Sequence, residues 1–131
     1  MTYSPPPLTL GIEEEYQIIH PETRNLYSYI TELIAEDARR DVKLDLKPEF
    51  MQSQVEVGSH PCRNVKEIRA ELIRLRRATC EMARDNGLRI VAASTHPFAR
   101  WDEQNITDGV RYKELLDDMQ GIARRLLIFG M

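Results

Sequence analysis

Cysteine is scarce in this chain. Its 131 residues hold two, Cys62 and Cys80, neither in a C-x-x-C pair nor at a metal-type spacing from a histidine. That argues against a zinc site and predicts reduced thiols, although the sequence leaves a single disulfide open. The opening residues MTYSPPPLTL lack the basic start and the apolar run of a signal peptide. No stretch approaches the ~18 apolar residues that a membrane span needs. A basic stripe is missing too: the net charge is −3, which speaks against a nucleic-acid surface. No G-x-x-x-x-G-K-[ST] loop occurs, so phosphates would have to be held by other means. Repeats and low-complexity segments are absent beyond Pro5-Pro6-Pro7. The expectation is a cytoplasmic globular protein with no nucleic-acid or membrane partner.

What is present fits that class. Hydrophobic residues make up 42% and charged residues 30%, and this length can bury a core without disulfides. Three consecutive prolines make residues 1–7 an extended lead-in. Ile12, Tyr16 and Ile18 share one parity and Glu13, Glu15 and Gln17 the other, which predicts a half-buried strand. His20 to Asn25 is a turn. Apolar spacing predicts a helix over 28–40, a short strand over 42–46 interrupted by Pro48, and a second strand over 50–57. Asn64 as N-cap and Glu67 three residues on open a helix over 65–86, with Val65, Ile68, Leu72, Leu75 and Met82 as its apolar stripe. Gly87 suits its C-terminal turn. A strand over 88–93, a loop over 94–98, an irregular stretch over 101–108 and a helix over 112–119 follow. Residues 122–131 fit either a helix end or a buried strand. Phe129-Gly130-Met131 closes on an apolar run, which suggests a cut within a larger domain.

Glu13 and Glu15, two apart on a strand, point to the same face. Such carboxylates repel unless a cation, a basic partner or protonation neutralises one of them. Hard divalent cations take oxygen ligands of this kind. Glu56 lies on the polar face of the second strand with Gln52 and Gln54. Glu49, seven positions before it, would face the other way in a regular strand. A glutamate-rich strand face is most often simply solvated, and the pattern alone identifies no reaction. A glycosidase fits poorly, because its acids stand ~5–9.5 Å apart across a cleft.

Three ordered segments carry a more specific signal. Thr9-Leu10-Gly11-Ile12-Glu13-Glu14-Glu15-Tyr16 resembles the opening of the carboxylate–amine ligase family, also called the type 2 glutamate–cysteine ligases. Lys47-Pro48-Glu49-Phe50-Met51 through Gln54-Val55-Glu56-Val57-Gly58-Ser59 resembles its second signature, and Ser94-Thr95-His96-Pro97-Phe98 its third. The family is similar to bacterial glutamate–cysteine ligases and, more distantly, to glutamine synthetase. The resemblance implies an α+β fold in which a curved antiparallel sheet with packed helices holds divalent metals on its concave face. Residues 1–131 would then be the N-terminal portion of one glutamine-synthetase-like catalytic domain. It implies an ATP-dependent ligase that activates a carboxylate (glutamate in the family name) as an acyl phosphate for attack by an amine (cysteine in that name).

Carried over by position, Glu13, Glu15, Glu49 and Glu56 match the family's metal-binding acids, for Mg2+ or Mn2+. The spacing of Glu49 and Glu56 is the family's own and implies a bulge or bend. Glu14 falls on the opposite face, to pair with an arginine or reach solvent. The family continues with a histidine-bearing strand, so the chain alone is expected to complete only part of the site.

No residue stands out as a catalytic group. Gln52, Thr95, His96 and Arg124 are candidates to meet substrate: His96 follows a strand, and Arg124, with Arg125, could face a phosphate. His60 suits a structural turn, and Trp101 a partly buried loop anchor. Small-molecule amino acid and amine substrates, and self-association into a homo-oligomer, are the expected partnerships. The alternative is a truncated, non-catalytic domain of the same fold that binds metal weakly or acts through protein contacts.

Overall fold

The alternation at the start of the chain becomes β1, Glu13–Ile19, one of the two inner strands of a four-stranded antiparallel sheet. In this computed structural model, which describes residues 7–125 and 127, β2 is Lys47–Pro48, β3 is Gln54–Gly58 and β4 is Arg89–Val91. The sheet order is β2-β3-β1-β4. Glu15 lies opposite Glu56, Gln17 opposite Gln54, and Glu13 opposite Gly58. The class is α+β, with an open sheet among the described residues.

One sheet face is apolar beyond Glu14, because Tyr16 and Ile18 of β1 and Val55 and Val57 of β3 share it. Tyr16, Ile18, Val55 and Val57 are buried there against Ile30 and Leu33 of α1 (Ile30–Asp37) and Leu75, Met82 and Ala83 of α2 (Val65–Asp85). Side chains alternate across a strand, so the other face receives Glu13, Glu15, Gln17, Gln54 and Glu56. A smaller cluster of Phe50, Met51 and Ala123 is closed by Tyr112, Leu115 and Leu116 of α3 (Val110–Met119). Ala123 lies on α4, Gly121–Arg124.

α2 starts as its sequence dictates. Asn64 Oδ1 accepts from the backbone N–H of Lys66 and Glu67 at 3.0 and 3.1 Å, and the Glu67 carboxylate accepts from Arg63 N at 2.8 Å. Gly87 ends it at φ +70°, a left-handed position that glycine takes without a steric penalty. The apolar stripe begins later than expected. Val65 is 73% exposed, and burial starts at Leu75 and continues through Thr79, Met82 and Ala83. Ile68 and Leu72, between them, are half-buried.

Three expected elements change shape. The first helix runs over Ile30–Asp37 rather than 28–40. It stops where Asp37 turns its carboxylate to the backbone N–H of Leu44 and Leu46. Those bonds also explain why 42–46 is not a strand: Leu44 and Leu46 are buried, but Asp37 takes the N–H groups that a ladder would need. Pro48 does not interrupt a strand; it ends β2, opposite Val55. β2 is an edge strand, where a missing N–H is tolerated. The second strand begins at Gln54 rather than Phe50, because a turn comes first, in which Gln54 N donates to Met51 O at 3.0 Å.

The remaining expectations need smaller adjustments. β4 is shorter than 88–93, and α3 begins at Val110. Trp101 opens a 3-10 turn and is exposed rather than half-buried, with the Arg125 guanidinium 5.4 Å from its ring centroid. Both cysteines are free, Cys62 buried and Cys80 exposed. Of the ambiguous tail, 126 and 128–131 lie outside the described residues. No helix among the described residues is long and apolar enough to cross a membrane.

Candidate metal centre

Glu15, Glu49 and Glu56 each present a carboxylate oxygen, and these oxygens all lie within 4.8 Å of one another. The strand register places two of them: Glu15 on β1 faces Glu56 on β3. The third comes from a chain reversal. β2 and β3 form a hairpin in which Lys47 pairs with Glu56 and Pro48 with Val55, so Glu49 follows β2 directly and lies beside β3. Of the bulge or bend expected, the structure has a bend, tight enough to reverse the chain. Seven residues would separate Glu49 and Glu56 onto opposite faces of one continuous strand; folded back on itself, the segment brings them together.

The surroundings fix Glu49. Thr107 Oγ1 donates to its carbonyl at 2.5 Å, Phe50 N donates to its Oε2 at 3.2 Å, and the Tyr112 hydroxyl donates to Pro48 O at 2.9 Å. Burial, then the charge of Glu15, and beyond that a hydrogen bond and the charge of Glu56, push the Glu49 carboxyl above its usual range; the Phe50 N–H works against them. Carboxylates set this close repel one another unless a cation, a basic partner or a proton relieves them.

Glu13 stands outside this group. Its side chain is 64% exposed, against 13% for Glu56. The Lys47 ammonium links the two, 3.1 Å from Glu13 Oε1 and 2.7 Å from Glu56 Oε1. Pairing with Glu56 first and Glu13 second raises the Lys47 pKa, so the ammonium stays charged. A cavity of about 490 Å³ adjoins this end of the sheet, with Gly11, Glu13, Asp45, Lys47, Ser59 and His60 in its wall.

Two participants were not singled out by pattern. Lys47 sits two residues before Glu49, a place the sequence shows but does not explain. Gln17 continues the parity of Glu13 and Glu15. It is 1% exposed, and its Oε1 has no hydrogen-bond partner among the described residues. Buried polar atoms are rarely left this way, and this one lies on the carboxylate face, two positions along β1 from Glu15.

Glu14 faces the opposite side. The Arg76 guanidinium grips both its oxygens, at 2.8 Å from Nε to Oε2, and the Tyr16 hydroxyl donates to it as well. The hydrogen bonds from Arg76 hold the Glu14 carboxyl below its ordinary value, against a smaller opposing effect of burial. β1 is thus clamped to α2 behind the carboxylates.

The remaining candidates have local partners or open positions. His96 Nε2 donates to Arg24 O at 2.9 Å and Nδ1 accepts from Ala99 N at 3.0 Å, which ties the loop after β4 to the turn after β1. Thr95 lies exposed beside it. Gln52 Nε2 donates to Ile106 O, and Gln52 O accepts from the N–H groups of Tyr29 and Ile30. Arg124 is exposed on α4. His60 lies in the turn after β3, where its carbonyl accepts from Cys62 Sγ.

Comparison with known proteins gives this geometry a family. The model of glutamate–cysteine ligase family 2 (GCS2) matches residues 9–131. A protein of Herpetosiphon aurantiacus named "Putative glutamate--cysteine ligase 2" is 55% identical over 95% of this chain and 32% of its own length. Proteins of the same name from Chloroflexus aurantiacus and Solibacter usitatus are 54% and 42% identical, over 94% and 96% of this chain and 31% and 33% of theirs. The chain spans about a third of the length of the curated relatives it matches. By the family match and these identities, the chain belongs to glutamate–cysteine ligase family 2, a family of carboxylate–amine ligases.

Proposed function

We propose that this chain is the N-terminal part of a glutamine-synthetase-like catalytic domain, and that its carboxylate face holds the Mg2+ or Mn2+ of an ATP-dependent ligase. The acyl donor in this reading is an amino acid, glutamate by the relatives' name, and the acceptor an amine, cysteine by that name. The observation that carries it is the convergence of Glu15, Glu49 and Glu56 oxygens within 4.8 Å. The donor set suits a hard divalent cation, being all carboxylate. The raised Glu49 carboxyl and the unpartnered Gln17 Oε1 support the fit, since a cation would relieve the first and could engage the second.

In the reaction, a carboxylate oxygen of the donor attacks the terminal phosphoryl group of ATP, giving an acyl phosphate and ADP. The amine then attacks the acyl carbon, phosphate leaves, and an amide remains. A bound divalent cation supplies positive charge where charge builds on the transferring phosphoryl group. This chain's residues hold and orient. Glu15, Glu49 and Glu56 would hold the cation, and the Arg76–Glu14 clamp keeps β1 in place. Lys47 ties Glu56 to Glu13 at the edge of the adjoining cavity. Positioning and charge supply the rate, with little covalent chemistry asked of the protein.

The test extends the polypeptide to the length of its relatives and supplies ATP, Mg2+ and a broad panel of amino acids and amines. Amino-acid-dependent phosphate release is expected, and Glu15→Gln should cut it at least about a hundredfold. No such release across the panel would overturn the ligase reading.

A further inference from the structure

The reversal that carries Glu49 has no glycine or proline at its tip, residues 51–53. Gln54 N to Met51 O closes that tip from within. The residues leading into it are gripped from a distant segment, 105–112. Three consecutive carbonyls turn to that segment. Pro48 O accepts from the Tyr112 hydroxyl at 2.9 Å, Glu49 O from Thr107 Oγ1 at 2.5 Å, and Phe50 O from Thr107 N at 2.9 Å. At the tip, Met51 bridges to Ile106, and Gln52 N donates to Asn105 O at 2.9 Å. Backbone groups in a reversal have no ladder partners and need others.

Two of these bonds bear directly on Glu49. A peptide unit is planar, so a residue's direction is set by the planes on either side of its Cα. Pro48 O belongs to the plane before Glu49, and Glu49 O to the plane after it. Each plane is held by a side-chain hydroxyl. We propose that Thr107 and Tyr112 are positioning residues of the metal centre, whose hydroxyls pin the two peptide planes flanking Glu49 and so aim its carboxylate at Glu15 and Glu56. The inference rests on the metal-centre reading above. Tyr112 lies in the first turn of α3, and its ring stands edge-on to Phe50 at 6.0 Å between centroids. Burial first, and the charge of Glu49 second, raise the pKa of its phenol, so the hydroxyl keeps the proton that it donates. Without these two bonds, Glu49 would have to be ordered at the moment a cation binds, at a cost in affinity.

Mn2+ titration of this chain, followed by the electron paramagnetic resonance of free Mn2+, tests this. The set is the wild type, Thr107→Val, Thr107→Ser, Tyr112→Phe, Glu49→Gln and Glu49→Gln combined with Thr107→Val, each checked by far-UV circular dichroism. Thr107→Val keeps the backbone N–H and the shape of the side chain and removes the hydroxyl donor. It should weaken Mn2+ binding about tenfold, and Tyr112→Phe at least about threefold, while Thr107→Ser stays within about twofold of the wild type. In the Glu49→Gln background, Thr107→Val should change the affinity by less than about twofold, because its effect passes through that carboxylate. If Thr107→Val does not fold, Tyr112→Phe, which removes a single oxygen atom, carries the comparison. Folded Thr107→Val and Tyr112→Phe proteins that bind Mn2+ as tightly as the wild type would overturn the positioning role and leave the metal centre standing. So would a loss from Thr107→Val that is as large without the Glu49 carboxylate as with it. Absence of Mn2+ binding in the wild type would overturn the metal centre itself, and the positioning role with it.

Discussion

Glu14 and Glu15 are neighbours on β1 with opposite surroundings. Glu15 joins the carboxylate group, while Glu14 is clamped by Arg76 and Tyr16 behind the sheet. The period of two in the sequence was enough to separate them, and an arginine partner was one of the two outcomes expected for Glu14. Which arginine was not legible, because Arg76 lies 62 residues away and only the packing of α2 on β1 brings it near. The Glu14 carboxyl is held below its ordinary value of 4.5, so folding favours its ionised form. Its stabilisation is full above about pH 4.5 and is lost as pH falls through the lower, folded value. Urea unfolding between pH 6 and pH 3 should therefore show a steeper acid loss in the wild type than in Glu14→Gln. At pH 7 that variant should be less stable by about 1–2 kcal/mol, the charge-assisted bonds being discounted because Arg76 is more than half exposed. Superimposable pH profiles would contradict the clamp.

Elements were legible in proportion to how local their causes are. α2 is written in its own residues: a capping asparagine, a glutamate three positions on, a glycine at its end. Asn64→Ala should cost about 1 kcal/mol, read from the denaturant midpoint at unchanged m-value. The β2–β3 hairpin was not legible, because its turn at 51–53 carries no glycine or proline and the alternation of 50–57 imitates one continuous strand. The strand expected over 42–46 failed for a similar reason. Its alternation is real, but the long-range acceptor Asp37 takes its N–H groups. Asp37→Ala would leave both of those backbone donors unpaired in a buried setting, at a cost of about 2–4 kcal/mol in chemical unfolding. A loss below half a kcal/mol would mean that the loop repairs itself.

At the scale of the molecule, two helices cover one face of the sheet and leave the other to charge. That division is why the acids could be read from parity, and why the ligand group could not be closed from parity alone. Three of the four expected acids come together, and Glu13 reaches Glu56 through the Lys47 ammonium instead, a distinction that needs the positions of side chains across strands. The edge strands β2 and β4 are short and carry Lys47, Pro48 and Arg89, features that discourage open-ended pairing. The expected self-association should therefore be a closed dimer or small ring through exposed apolar residues such as Val65, Val110 and Ile122. Sedimentation equilibrium giving a monomer at all concentrations would contradict it.

The central claim is that three glutamates of this sheet form one divalent-cation site. Isothermal titration of Mn2+ into the wild type, Glu15→Gln and Glu56→Gln, each verified as folded, tests it most directly. The predicted result is saturable binding to the wild type that weakens at least about tenfold, or 1.4 kcal/mol, in each variant. Equal affinity in all three proteins would contradict it.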